Sequence, residues 1–348
     1  MIAELVHPRF LLTLLVGTAG GALFFWLQLP LAWMLGSMCA TTLAALLGFD
    51  LRSSMPLRNV MIIALGAMLG SAFTPDVVDR IPGWLPGFLA MLVFVAVTTL
   101  AIFLFFRWSL GTDNATSFFS ATPGGLGEMT IVGEEMGGDS RVIPLAHATR
   151  ILVIVFSIPF FLRYVDGLDL PSTASFPADR PLTTWGEFGV LALCGGAGFA
   201  VFRLLKIPGG RIMGPMLACG MLYALGQIEG RPPTPIIAAA QIVIGATVGA
   251  RFVGFDPRAV GKVALVSAGA GFLMFLAALG FSRLLAPFVG LSPDALLLAL
   301  APGGLAEMSL IALALDVDTA YVACMHLVRI MLIVSLAPLF FRWWAKRE

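Results

Sequence analysis

Residues 120–130 read SATPGGLGEMT, and residues 300–309 read LAPGGLAEMS. Each stretch interrupts a long apolar run with a proline, a pair of glycines and a glutamate. Pro123 and Pro302 are 179 residues apart, and so are Glu128 and Glu307. A break that recurs at one spacing, with an acid in the same place, organises the rest of the chain around it.

The chain has 348 residues, of which 59% are hydrophobic and only 12% charged, with mean hydropathy +0.96. Water-soluble domains carry roughly 25% charged residues, so this composition belongs in a lipid bilayer. Runs on the order of 17–25 apolar residues, enough to span, fall near 9–29, 31–49, 57–73, 84–107, 142–164, 185–204, 211–228, 235–252, 262–284 and 319–343. They are continuous rather than short and alternating, which excludes a β-barrel and predicts an all-α polytopic membrane protein. A net charge of +1 with no basic or acidic tail offers nothing to a nucleic acid. Cys39, Cys194, Cys219 and Cys324 stand singly in apolar runs and read as small buried hydrophobes, not as zinc ligands or disulfides. The first apolar run is too long for a signal-peptide core and reads as a retained span.

The 179-residue offset extends well beyond the breaks. GAMLG (66–70) falls on GATVG (245–249), His147 and Arg150 on His326 and Arg329, and Asp139-Ser140 on Asp318-Thr319. With the offset one residue shorter, PLAWMLGSM (30–38) falls on PGGRIMGPM (208–216). This predicts an internal duplication: one repeat over 1–165, a polar, proline-bearing linker over 166–184, and a second repeat over 185–348. Gly66 and Gly70, like Gly245 and Gly249, are spaced to let membrane helices approach closely.

The orientation of the repeats depends on whether the Pro-Gly-Gly segments cross the membrane. If they cross, each half has six spans and the halves are parallel. If they turn back as re-entrant hairpins over 112–136 and 292–315, each half has five crossings and the second is inverted. Lys and Arg concentrate on the cytoplasmic side. Leaving out Arg150 and Arg329 inside the spans, the inverted arrangement places 14 of them inside and 5 outside, against 11 and 8 for the parallel one. Inversion is the prediction, with both termini cytoplasmic.

Proline and paired glycines end one half-helix and free the backbone, and irregular backbone at membrane depth is tolerated only inside protein or beside a wet cavity. The second half-helix then offers unpartnered amides and a positive dipole end, suited to an anionic group. Paired discontinuous helices in corresponding places are the sequence mark of a secondary transporter's site. Pro123, Gly124, Gly125, Pro302, Gly303 and Gly304 are therefore candidates for substrate binding. Glu128 and Glu307 either complement their own helix ends or carry a coupling proton or cation. In HATR (147–150) and HLVR (326–329), His and Arg share a helix face. Either each Arg braces the break by pairing with a Glu and each His bonds a freed carbonyl, or Arg150 and Arg329 bind an anionic substrate while His147 and His326 join the glutamates as coupling candidates. The hydroxyls of Thr130 and Ser309 line the pocket or bond back to their own helix. Trp343 and Trp344, followed by AKRE, read as an interfacial anchor.

The paired motifs, TPGGLGEM with HATR and APGGLAEM with HLVR, resemble the AbrB family of bacterial membrane proteins, over essentially the whole chain. The resemblance implies a multi-pass protein of the bacterial cytoplasmic (inner) membrane, and members often carry the label ammonia monooxygenase or a link to regulation of gene expression. A copper or iron oxygenase needs clustered His and carboxylate ligands; here His147, His326, Glu128 and Glu307 are split between halves, and each His sits three residues from an Arg. The sequence therefore points away from an enzyme, and to no metal or cofactor. It points to a secondary transporter for a small anionic or zwitterionic organic solute, driven by H+ or Na+. No nucleotide-binding motif suggests direct ATP drive, and by analogy with elevator-type transporters a homodimer is expected. A membrane sensor that alters gene expression through a partner is the alternative reading.

Overall fold

A computed structural model describes residues 7–171, 181–230, 233–255 and 257–345. The middle of the predicted linker and the last three residues of the predicted C-terminal anchor lie outside the described residues. The described chain is helical, with no β-strand among the described residues.

Fourteen principal helices follow one another in two series of seven. The first is α1 (Pro8–Trp26), α2 (Ala32–Leu46), α3 (Met55–Gly70), α4 (Leu85–Leu110), α5 (Asn114–Ala121), α6 (Leu126–Glu135) and α7 (Val142–Tyr164). The second is α8 (Trp185–Leu204), α9 (Gly210–Ala224), α10 (Thr234–Gly249), α11 (Pro257–Val289), α12 (Pro293–Leu300), α13 (Leu305–Ala314) and α14 (Thr319–Ala345). The short helices α5 and α6 coincide with α12 and α13 at an offset of 179, end for end.

All ten apolar runs form helices, and among the described residues seven segments are long and apolar enough to cross a membrane. Helices α2, α3 and α9 have 15, 16 and 15 residues, about 22–24 Å at 1.5 Å per residue, short of a hydrocarbon core of about 30 Å. Local sequence accounts for their ends. Gly48 follows α2 and Gly226 follows α9, both with positive φ (+89° and +67°), while Ser54 caps α3 ahead of Pro56. The short helices of the breaks are capped by side chains: Asp113 accepts from Thr116 N at 2.7 Å, and Ser292 from Ala295 N at 3.2 Å. Asp139 accepts from the amides of Arg141 and Val142 at the start of α7. Its offset partner Asp318 instead pairs with Arg80 at 3.2 Å.

The chain forms two compact units, and each draws on both halves of the sequence. One comprises residues 1–80, 158–257 and 309–320. Within it the glycine pairs do what their spacing predicts, and they do it reciprocally. A Cβ on Gly66 or Gly70 of α3 would press into the backbone of α9 at Ile212, Met216 and Gly220. One on Gly245 or Gly249 of α10 would press into α2 at Met34, Met38 and Thr42. The third helix of each half thus lies against the second helix of the other, at a distance only glycine permits.

The other unit comprises residues 81–157, 258–308 and 321–348. It contains both proline-glycine breaks. Its aromatic core joins α5 to α14, where Phe118 and Phe119 pack on Phe341, and Phe103 of α4 meets Trp344 edge to face. The chain folds back at the first break: Gly133 of α6 lies against Phe119 of α5, and Asp139 N donates to Thr116 Oγ1 at 2.8 Å.

The close approach of α10 to α2 has a direct test. In Gly249→Val the new methyls meet Thr42 N and Met38 O, each 2.8 Å or less from the Cβ position. The variant is expected to lose about 1–3 kcal/mol of stability, measured as a lowered thermal transition of the detergent-purified protein. Gly261→Val, whose Cβ meets nothing within 4 Å, is the control and leaves the transition nearly unchanged.

Candidate functional site

The backbone hydrogen bonds of the two breaks match one for one. Thr122 N donates to Phe118 O at 3.0 Å, and Ala301 N to Leu297 O at 2.9 Å, closing the first helix of each pair. Pro123 and Pro302 carry no N–H, so the helix cannot continue through them. The turn is then held by Gly124 N to Thr122 O at 2.9 Å and by Gly303 N to Ala301 O at 3.0 Å. The second helix opens with Met129 N to Gly125 O at 2.9 Å and Met308 N to Gly304 O at 3.1 Å. Two helix ends of opposite polarity therefore face each break: carbonyls from α5 or α12, and first-turn amides from α6 or α13.

The amide end is met by the helix's own acid. Glu128 is the third residue of α6, and its Oε2 lies so close to Gly125 that a Cβ there would collide with it. Glu307 stands in the same relation to Gly304. A carboxylate at this position folds back over the helix start and complements the dipole. Glu128 is half-buried, whereas Glu307 is only 8% exposed.

The carbonyl end is met by the His and Arg of the long helix that follows. His147 Nε2 donates to Phe119 O at 2.9 Å, and His326 Nε2 to Leu298 O at 2.8 Å. Arg150 Nη1 donates to Thr122 O at 3.4 Å. Arg329 Nη1 donates to Leu300 O at 2.9 Å, Ala301 O at 3.2 Å and Ala299 O at 3.5 Å. Arg329 Nη2 also donates to His326 Nδ1 at 2.9 Å, so both ring nitrogens of His326 are engaged, and protonating Nδ1 requires that bond to break. Of the two readings open for each Arg, the bracing one named a glutamate as its partner; the bonds found run to backbone carbonyls instead. Among the described residues neither guanidinium forms an ion pair; each sits on the negative end of a half-helix.

The tips also exchange partners between halves. A Cβ on Gly124 would lie 3.0 Å from Ile333 Cγ2 of α14, and one on Gly303 would lie 2.9 Å from Ile154 Cγ2 of α7. Ile154 and Ile333 are themselves 179 apart. Each long helix thus holds the break of its own half through His and Arg and receives the tip of the other half four residues further on.

The remaining candidates are placed as follows. Pro123 and Pro302 are buried. Thr130 Oγ1 bonds back to Leu126 O at 2.7 Å, within its own helix. Ser309 in α13 is fully buried, and its hydroxyl has no partner among the described residues. Ser120 and Thr149 were not singled out by sequence, yet they are buried beside the first break with unpartnered hydroxyls. Comparing offset positions exposes them, since Ala299 and Val328 stand at the same places in the second half. A groove of about 650 Å³ runs between α4 and α14, walled by aliphatic and aromatic side chains, with Phe118 and Thr122 at its inner side. Among the described residues no three His, Cys, Asp or Glu side chains gather as metal ligands would.

These features define an all-helical, polytopic membrane protein organised around two discontinuous helices. The chain belongs to the AbrB family: the family described as transition state regulatory protein AbrB matches residues 33–345. It is 26% identical over 358 residues to "Uncharacterized protein YhjN" of Bacillus subtilis (strain 168), covering 94% of this chain and 91% of that protein. It is 25% identical over 323 residues to "Putative regulator AbrB" of Escherichia coli (strain K12), covering 90% of each.

The two breaks differ in one backbone respect that can be measured. Gly304 has φ +98°, while Gly125 has φ −68°, so alanine is strained at 304 and not at 125. Gly304→Ala is expected to lower stability by about 1–3 kcal/mol more than Gly125→Ala, read from thermal unfolding of the two variants side by side. Equal losses would show that displacement of the glutamate, common to both, outweighs the backbone.

Proposed function

We propose that this protein is a secondary transporter of a small anionic or zwitterionic organic solute, coupled to H+ or Na+. The observation that carries the reading is the matched pair of breaks, each presenting first-turn amides and a buried arginine. At membrane depth such groups are costly unless used, and paired discontinuous helices are how transporters present charge to a solute. In this reading the tip backbone at Pro123–Gly125 or Pro302–Gly304 meets the anionic group together with the buried arginine of that break, Arg150 or Arg329. Glu128 and Glu307 carry the coupling ion, with His147 and His326 as further candidates.

The architecture that goes with it is a duplicated chain of two inverted five-crossing repeats, each with a re-entrant hairpin. Three observations support it: the seven-helix succession repeats, the breaks coincide at one offset, and the chain returns from Asp139 to Thr116 at the first break. A segment that turns back leaves an odd number of crossings per half. A single cysteine at position 169, in a chain otherwise free of cysteine, is then expected to be labelled from the periplasmic side of intact cells. Labelling only after the cytoplasm is opened contradicts the inversion.

A regulatory role is the second reading, favoured by the name of the Escherichia coli relative. Transport of a metabolite would produce such a phenotype indirectly. The two separate in proteoliposomes: the transporter reading predicts uptake of a carboxylate or amino acid that collapses with the proton or sodium gradient and is lost in Glu307→Gln. Binding without any flux would favour a sensor.

A further inference from the structure

The two arginines are equivalent in sequence and unequal in structure. Arg329 is engaged four times, by three carbonyls and His326. Arg150 makes one hydrogen bond among the described residues, a 3.4 Å contact from Nη1 to Thr122 O. Both side chains are buried, at 3% and 4% exposure, and both Nε atoms lack a partner among the described residues. A buried guanidinium held by one long hydrogen bond is far from satisfied.

The surroundings differ in the same sense. His147 bonds Phe119 and Arg150 bonds Thr122, so α7 and α5 run in step. Ser120 falls between Phe119 and Thr122, whose carbonyls are bonded, and Thr149 between His147 and Arg150, which bond them. Both hydroxyls are buried and unpartnered among the described residues. In the second half those places hold Ala299 and Val328, which donate nothing. The tips follow suit: Gly124, Leu126 and Glu128 are half-buried where their counterparts Gly303, Leu305 and Glu307 are buried, Gly127 is exposed where Ala306 is half-buried, and Gly125 and Gly304 are alike.

We propose that the protein has one carboxylate-binding site rather than two, at the first break, with Arg150 as the binding residue and Arg329 as a positioning residue that braces the second break. With Nη1 committed to Thr122, Arg150 keeps its Nε–Nη2 edge, the side of a guanidinium that takes two oxygens of one planar anion. Ser120 and Thr149 supply hydroxyl donors to the same group. This deepens the transporter reading and rests on it for the nature of the ligand.

The test is thermal unfolding of the detergent-purified full chain with propionate, lactate, succinate or inorganic phosphate as probes. A ligand of the folded state raises the transition with log concentration. Wild type is expected to respond to a carboxylate. Arg150→Gln is expected to keep the ligand-free transition within a few degrees of wild type and to lose the response. Arg329→Gln is expected to lower the ligand-free transition and keep the response. The double variant Ser120→Ala/Thr149→Val is expected to weaken binding roughly tenfold.

A wild type silent to every probe, or responsive only to phosphate, overturns the carboxylate site. An Arg150→Gln that still responds, or that unfolds as readily as Arg329→Gln, overturns the division of roles. Uptake into proteoliposomes separates the two levels. A carboxylate bound through Arg150 but never moved sinks the transporter reading and leaves the site standing. One that is moved equally well by Arg150→Gln does the reverse.

Discussion

A peptide group inside a bilayer has no water to bond, so every break in a helix there must be answered by protein or ligand. The two Pro-Gly-Gly breaks strand carbonyls on one side and amides on the other. The chain answers the carbonyls with His147 and Arg150 in one half, His326 and Arg329 in the other. It answers the amide ends with Glu128 and Glu307, folded back over their own glycines. Gly125 and Gly304 leave room for the acid, Gly124 and Gly303 leave room for the neighbouring methionine and isoleucine, and Gly304 also supplies a positive φ.

This arrangement places charged side chains against both ends of each break. Arginine on a carbonyl end is stabilised without a carboxylate partner, so its charge is not cancelled by an ion pair. The glutamates in turn are held by helix ends rather than by the arginines. Acid and base thus remain separate groups, each close to a backbone dipole, and available to an anion and to a coupling ion in the proposed transport cycle. The reciprocal contacts of Gly124 with Ile333 and Gly303 with Ile154 tie the two breaks to both long helices.

Much of this is legible in the sequence. Proline and glycine marked both breaks to within a few residues, and the apolar runs marked ten of the helices. The shared face of His and Arg announced that they act together. The partner of each Arg was not legible, because spacing within a helix says nothing about which helix end lies opposite; the carbonyls of α5 and α12 were nearer than any acid. The shortness of α2, α3 and α9 was hidden for a related reason, since hydropathy does not register where a glycine or a capped proline stops a helix. The inequality of the halves lay in plain view at Ser120 and Ala299, Thr149 and Val328, but it gained meaning only once Arg150 and Arg329 were seen to be bonded so differently.

The exchange of tips between halves is the feature on which the account stands, and cross-linking measures it directly. Cysteine pairs Gly124→Cys with Ile333→Cys, and Gly303→Cys with Ile154→Cys, are placed in a chain otherwise free of cysteine and oxidised in native membranes. Both pairs are predicted to form disulfides readily. The account is contradicted if they stay reduced while the same-half pairs, 124 with 154 and 303 with 333, become oxidised instead.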